Sequence, residues 1–185
     1  MPSSSTSPRH SDRGHKFDSL FADHYLAVYK YCLRRLGKSD GEDAAAEVFA
    51  VAWRRLEQIP AGESARAWLL GVAYRVVGNQ YRGRRRRGNL TDRLRGERHM
   101  AVEPDTADAE IRLLLHALES LRDADRELLR LSSWDGLSNA EIATVLGVKQ
   151  NAVDQRLFRA RTRLRLRLDE LGRESLEVNT RKAST

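Results

Sequence analysis

The sequence predicts an all-α protein of two small helical domains joined by a flexible linker. Three observations carry this. Apolar residues recur every three or four positions through most of the 185 residues, and no run alternates as a strand would. Midway along the chain, from Gly88 to about Ala107, the periodicity vanishes and polar residues, Gly and Pro take over. Beyond that gap, Leu137 to Arg163 reads as a capped helix, a glycine turn and a basic amphipathic helix.

Taken in order, Met1 to Lys16 is Ser-rich and polar, so 1–16 is expected to be a disordered tail. A first helix is expected from Phe17 to Leu36, with Phe21, Tyr25, Val28, Cys32 and Leu36 on one face and Gly37 as its stop. A second should begin after Ser39 or Asp40, where Ser39/Glu42 and Asp40/Asp43 both offer caps. It runs to about Glu57 through Ala45, Val48, Phe49, Ala52, Trp53 and Leu56. Pro60 and Gly62 mark a loop. A third helix follows Ser64, with Ala67, Leu70, Tyr74, Val77 and Tyr81 in register, and passes into the basic run that ends at Arg87. After the linker at 88–107, the period returns at Ile111, Leu114, Leu115, Leu118 and Leu121 and continues through Leu128, Leu129 and Leu131. Residues 172–185 are expected to be a flexible tail.

The stretch from Leu137 is the most specific. Ser138 and Glu141 stand at capping-box spacing, Leu137 and Ile142 at the positions of a hydrophobic staple, and Gly147 where a left-handed residue ends a helix. Val153, Leu157, Ala160, Leu164 and Leu168 then form one apolar stripe, with Arg156, Arg159, Arg161 and Arg163 off it. This is the pattern of a helix-turn-helix that lays its second helix in a DNA major groove. Two helices and a tight turn also occur in plain helical bundles, so the rest of the chain has to decide.

Composition agrees with a polyanionic partner. The formal net charge is +7, the pI is near 10.0, and all but five of the 33 basic residues are arginine, the better fork for phosphate and guanine edges. Cys32 is the single cysteine, which excludes an internal disulfide and a multi-cysteine zinc site. The five histidines (His10, His15, His24, His99 and His116) lack ligand spacing, and no nucleophile–base pattern appears. No catalytic residue, metal or cofactor is expected, and the protein is read as a non-enzyme. No apolar run approaches a bilayer-spanning length and no secretion signal precedes the first helix, so the expected location is cytoplasmic.

The order of these features resembles the sigma-70 superfamily of bacterial RNA polymerase sigma factors, and within it the compact extracytoplasmic-function (ECF) group. The resemblance covers Phe17 to Leu168. Asp40, Glu42, Asp43, Glu47, Phe49 and Trp53 match the family's core-polymerase-binding helix, with Ala46 where a Gln is usual. By resemblance its partner is the clamp coiled coil of the polymerase's largest subunit. The third helix resembles the segment that reads and melts the −10 element. Arg66, Trp68, Arg75, Asn79, Gln80, Tyr81 and Arg82 are its implied DNA contacts, with Arg75 and Asn79 departing from the family's Asn and Asp. Gly136-Leu137-Ser138, Glu141-Ile142-Ala143, Leu146-Gly147, Val153, Arg156-Leu157 and Arg159-Ala160-Arg161 match the −35-reading region. There Lys149, Gln150, Asn151, Asp154 and Gln155 are candidates for base edges and Arg156 and Arg159 for phosphates, with Asp154 where the family has Lys.

The resemblance implies a sigma region 2-like domain at 17–87 and a sigma region 4-like domain at 108–171. It also implies promoter DNA, the polymerase's beta flap and an anti-sigma factor as partners. A different class, the autonomous helix-turn-helix regulator, is disfavoured by the acidic Asp40–Glu47 helix lying beside a basic, aromatic one. An RNA-binding protein would share the charge but not the capped helix-turn-helix.

Overall fold

A computed structural model describes residues 8–62, 64–86 and 109–183. The linker expected at 88–107 and residue Arg87 lie outside these. The elements are α1 (Pro8–Leu36), α2 (Lys38–Arg54), a 3-10 turn (Leu56–Gln58), α3 (Ser64–Arg86), α4 (Ala109–Ser120), α5 (Asp123–Ser133), α6 (Asn139–Leu146) and α7 (Gln150–Ala183). Among the described residues there is no strand, as the periodicity predicted. None of the described helices is long and apolar enough to cross a membrane. The chain divides into two compact units, one built on α1–α3 and the other chiefly on α4–α7.

In the first unit, α1 buries Val28, Tyr31, Cys32 and Leu36. Gly37 then closes it: at φ 82° its N–H donates to the Leu33 carbonyl at 2.9 Å. The same glycine starts α2, because its own carbonyl accepts from Gly41 N–H at 2.9 Å. The caps expected from Ser39 or Asp40 are therefore not used, and no side-chain cap bond is made. One residue that turns the chain and begins the next helix leaves both of them inside α2.

Small residues let α1 and α2 approach closely. Gly41, Ala44, Ala45 and Ala52 are all buried, and a Cβ added at Gly41 would lie 2.9 Å from Leu33 Cα. Past Arg54 the helix tightens, with Arg55 N–H shared between Val51 and Ala52 carbonyls, so α2 ends earlier than expected. On α3 the expected Ala67, Leu70 and Val77 are buried, whereas Tyr74 is exposed and Tyr81 half-buried.

Two ends run further than the sequence indicated. α1 starts at Pro8, a residue suited to a first helical turn. Its added turns are held by contacts remote in sequence: Arg13 donates to the Trp53 carbonyl at 2.7 Å, and Lys16 pairs with Glu57 at 3.2 Å. α7 continues through Gly172 to Ala183.

In the second unit, Ala117, Leu118, Leu121, Leu128, Leu131, Ile142, Val153, Leu157 and Ala160 are buried. Each large aliphatic side chain contributes about 1.5–3 kcal/mol by leaving water, so this apolar set outweighs any single ion pair. Polar links then fix the helices' order. Arg126 caps the end of α4, donating to the carbonyls of Leu118, Glu119 and Leu121 at 3.0, 2.6 and 3.0 Å. Arg163 pairs with the buried Asp125 at 2.6 Å, and Arg161 reaches Ser132 Oγ at 3.2 Å, tying α7 to α5.

Candidate docking and nucleic-acid interfaces

The acidic side of α2 is outward. Glu42, Asp43 and Glu47 are exposed, and Asp40 is half-buried. Asp40 is not free, because it forms an ion pair with Arg84 of α3. Trp53 is 36% exposed, with the Arg13 guanidinium 5.0 Å from its ring and Phe17 edge-on at 5.1 Å. Phe49 lies on the apolar stripe expected of this helix as well as in the docking motif. It is only 4% exposed and packs 4.8 Å from the Phe21 ring, so it anchors α2 from within instead of facing outward.

Sequence reasoning caught only part of what lies beside this face, since it placed Phe21 and Tyr25 on one side of the first helix but not Phe17 or Tyr29. Phe17, Phe21, Tyr25 and Tyr29 form a ladder along α1, with successive centroids 6.2, 4.8 and 5.8 Å apart. Their four-residue spacing is the available signal. Loss of solvent around Tyr29, and then the Glu42 carboxylate that accepts its hydrogen bond, raise its hydroxyl above the ordinary 10.0. Aromatic rings beside carboxylates suit a protein surface better than a phosphate backbone.

The candidates on α3 divide into two groups. Arg75, Asn79 and Arg82 are exposed at helical spacing, with Arg82 donating to Asn79 Oδ1. Arg66, Trp68 and Gln80 are half-buried. Tyr81 is also half-buried, and its hydroxyl donates to the Arg35 carbonyl at the end of α1. The Tyr81 side chain thus fastens α3 to α1, a role that spacing did not reveal.

The helix-turn-helix has the local geometry that the sequence predicted. Ser138 N–H and Oγ both donate to Glu141 Oε2 at 2.8 Å, and Glu141 N–H returns to Ser138 Oγ at 3.3 Å. Leu137 and Ile142 are buried as a staple. At the other end Gly147 takes φ 66°, and Val148 N–H reaches the Ala143 carbonyl at 3.0 Å, a Schellman closure. The turn delivers Lys149 and the first turns of α7 outward, with Lys149, Gln150, Asn151, Asp154, Gln155, Arg156 and Arg159 all exposed. Asn139 Nδ2 donates to Asp154 Oδ1 at 2.6 Å, linking α6 to α7 across the turn. Arg159 Nε donates to the Gln155 carbonyl at 3.2 Å. Phe158, which sequence reasoning passed over, is 71% exposed on the same side as Gln155.

Comparison with known proteins places these features in a family. Residues 20–87 match the family model described as Sigma-70 region 2, and residues 111–164 match Sigma-70, region 4. The ECF RNA polymerase sigma factor SigL of Mycobacterium tuberculosis is 34% identical over 158 residues, spanning 83% of this chain and 89% of that protein. The RNA polymerase sigma factor CnrH of Cupriavidus metallidurans is 30% identical over 166 residues, 83% of this chain and 86% of that one. Among solved structures, CnrH in complex with the cytosolic domain of CnrY matches with a TM-score of 0.57 at 26% identity, covering 83% of this chain and 88% of CnrH. The sigma factor RpoE of Bartonella quintana, solved with the anti-sigma factor NepR, shares the fold with a TM-score of 0.56 at 21% identity, over 83% of this chain and 96% of that one.

Proposed function

The chain belongs to the sigma-70 family of RNA polymerase sigma factors, in its extracytoplasmic-function group, and from that premise we propose how its surfaces divide the work of initiation. Residues 17–87 act as the domain that docks on core polymerase and opens the −10 element. Residues 108–171 act as the −35 reader, and 88–107 as the linker between them. The exposed Glu42, Asp43 and Glu47, with Asp40 and Trp53 at the margins, dock on the clamp coiled coil of the polymerase's largest subunit. Arg75, Asn79 and Arg82 follow the opened −10 strand, where cations neutralise the exposed backbone and neighbouring planar groups take an unstacked base. Arg66, Trp68 and Gln80 support them from the same helix.

On α7, Lys149, Gln150, Asn151, Asp154 and Gln155 meet base edges, Arg156 and Arg159 meet phosphates, and Phe158 lies ready for a thymine methyl. The chain performs no covalent chemistry of its own and works in the cytoplasm beside the polymerase. The beta flap of the polymerase and an anti-sigma factor complete its set of partners. CnrH and RpoE are each known in complex with a second protein, and RpoE's is named an anti-sigma factor.

The observation that carries the division of labour is the contrast of charge. An acidic α2 surface and a cationic α3 surface lie on one unit of a basic protein, which a protein-docking face beside a DNA-melting face explains. The test is competition with a housekeeping sigma factor for core polymerase. A one-to-one complex that displaces the competitor is expected. Reversing charge at Asp43 and Glu47 should weaken that complex while the −35 reader still binds its DNA. Loss of both activities together would refute separate faces. Failure to bind core, with tight salt-sensitive binding to duplex DNA alone, would favour an autonomous regulator.

A further inference from the structure

The most informative unassigned contact is the 2.6 Å hydrogen bond from Asn139 Nδ2 to Asp154 Oδ1. A carboxylate on the outer side of a DNA-reading helix is unfavourable in isolation, because it faces a row of phosphates. Among the described residues no cation pairs with it, and it is exposed. It is held by a neutral amide donor from the first residue of α6, itself fixed by the capping box one residue earlier. A bond to one oxygen restricts the side chain's rotation and leaves Oδ2 able to accept. A carboxylate in the groove distinguishes bases sharply. Cytosine offers only the exocyclic amino donor, adenine places an N7 acceptor beside its donor, and guanine and thymine present acceptors.

We propose that Asn139 is a positioning residue that aims Asp154 at the exocyclic amino group of a cytosine, making the pair a specificity element of the −35 reader. This rests on the reading of α7 as the −35 helix. Asp154 would then make the base contact, and Asn139 would act only through it. The preference at that one position runs cytosine first, adenine second, guanine and thymine last. Loss of Asn139 relaxes the preference without abolishing DNA binding, since the phosphate contacts lie elsewhere on α7.

The test is transcription in vitro by the full chain with core polymerase, from promoters whose −35 element is randomised. The native chain should favour cytosine at one position by about 3- to 10-fold, the range a single hydrogen bond supplies. Asp154→Ala should erase the preference at that position and no other. Asn139→Ala should reduce it at the same position, and Asn139→Gln, which keeps the amide donor, should restore part of it. Asp154→Asn should move the preference towards adenine, and this variant does not depend on how α6 tolerates substitution. Transcription that is indifferent to cytosine, or Asn139 and Asp154 variants that alter different positions, would overturn the pair while leaving the sigma-factor reading intact. No transcription from any promoter in the library would overturn both.

Discussion

Helix α2 and the α6–α7 pair are held in place by different means. α2 lies against α1 through small side chains and a bare backbone at Gly41, and makes no side-chain cap. The α6–α7 pair is held by a reciprocal capping box, a glycine closure and an ion pair to α5. Close backbone packing tolerates almost no added volume, whereas a set of polar links weakens one link at a time. The docking helix should therefore fail abruptly and the reader gradually.

The largest effect should come from Gly41→Val. The new Cβ meets Leu33 Cα at 2.9 Å and Leu33 N at 3.0 Å, both main-chain atoms that cannot swing aside. A loss of about 3 kcal/mol is expected, at the upper end for overpacking. Urea unfolding followed by circular dichroism measures it, and an unchanged midpoint would mean that α1 and α2 can separate freely. Asp125→Ala comes next, at about 1–2 kcal/mol, since it strips a charged hydrogen bond from a half-exposed arginine. The same variant should loosen α7 more than α2, which amide exchange can resolve residue by residue.

Ser138→Ala should cost about 1 kcal/mol, the usual worth of a helix cap. It tests whether the reader degrades in steps, because the glycine closure at Gly147 remains. The smallest effect concerns His24. Partial burial, aided by Arg66 and opposed by Asp23, lowers its pKa from the ordinary 6.5. The unfolded chain therefore binds the proton first as pH falls through 6.5, and stability of the first unit declines there. His24→Gln should flatten that decline in thermal melts taken on either side of pH 6.5. An unaltered slope would assign the decline to other groups.

The reader was legible in the sequence because its determinants are local. Ser138 and Glu141 are three residues apart, and a capping box needs nothing from elsewhere. The docking unit was legible in outline only. Its helices follow from periodicity, yet the positions of their side chains depend on partners distant in the chain. Arg13 finds Trp53 forty residues on, so the first turns of α1 could not be told from a tail. Arg84 finds Asp40, and Tyr81 finds Arg35, over similar separations. Phe49 lies on the expected apolar stripe of α2, but its partner in the α1 ladder, Phe21, is distant in the chain and emerges only in the fold. Gly37 displaced the expected Ser39 and Asp40 caps because a single left-handed residue served both helices.

The closure of the α6–α7 turn has an evolutionary consequence. Ser138, Glu141, Gly147 and the buried Leu137 and Ile142 bear the cost of shaping it, and none of them is a candidate for reading a base. Lys149, Gln150, Asn151 and Gln155 carry none of that burden, so drift can exchange them while the scaffold survives. A duplicated copy would acquire a new set of promoters by changing a few outward side chains. On the proposed pairing, position 154 would have to change in step with position 139.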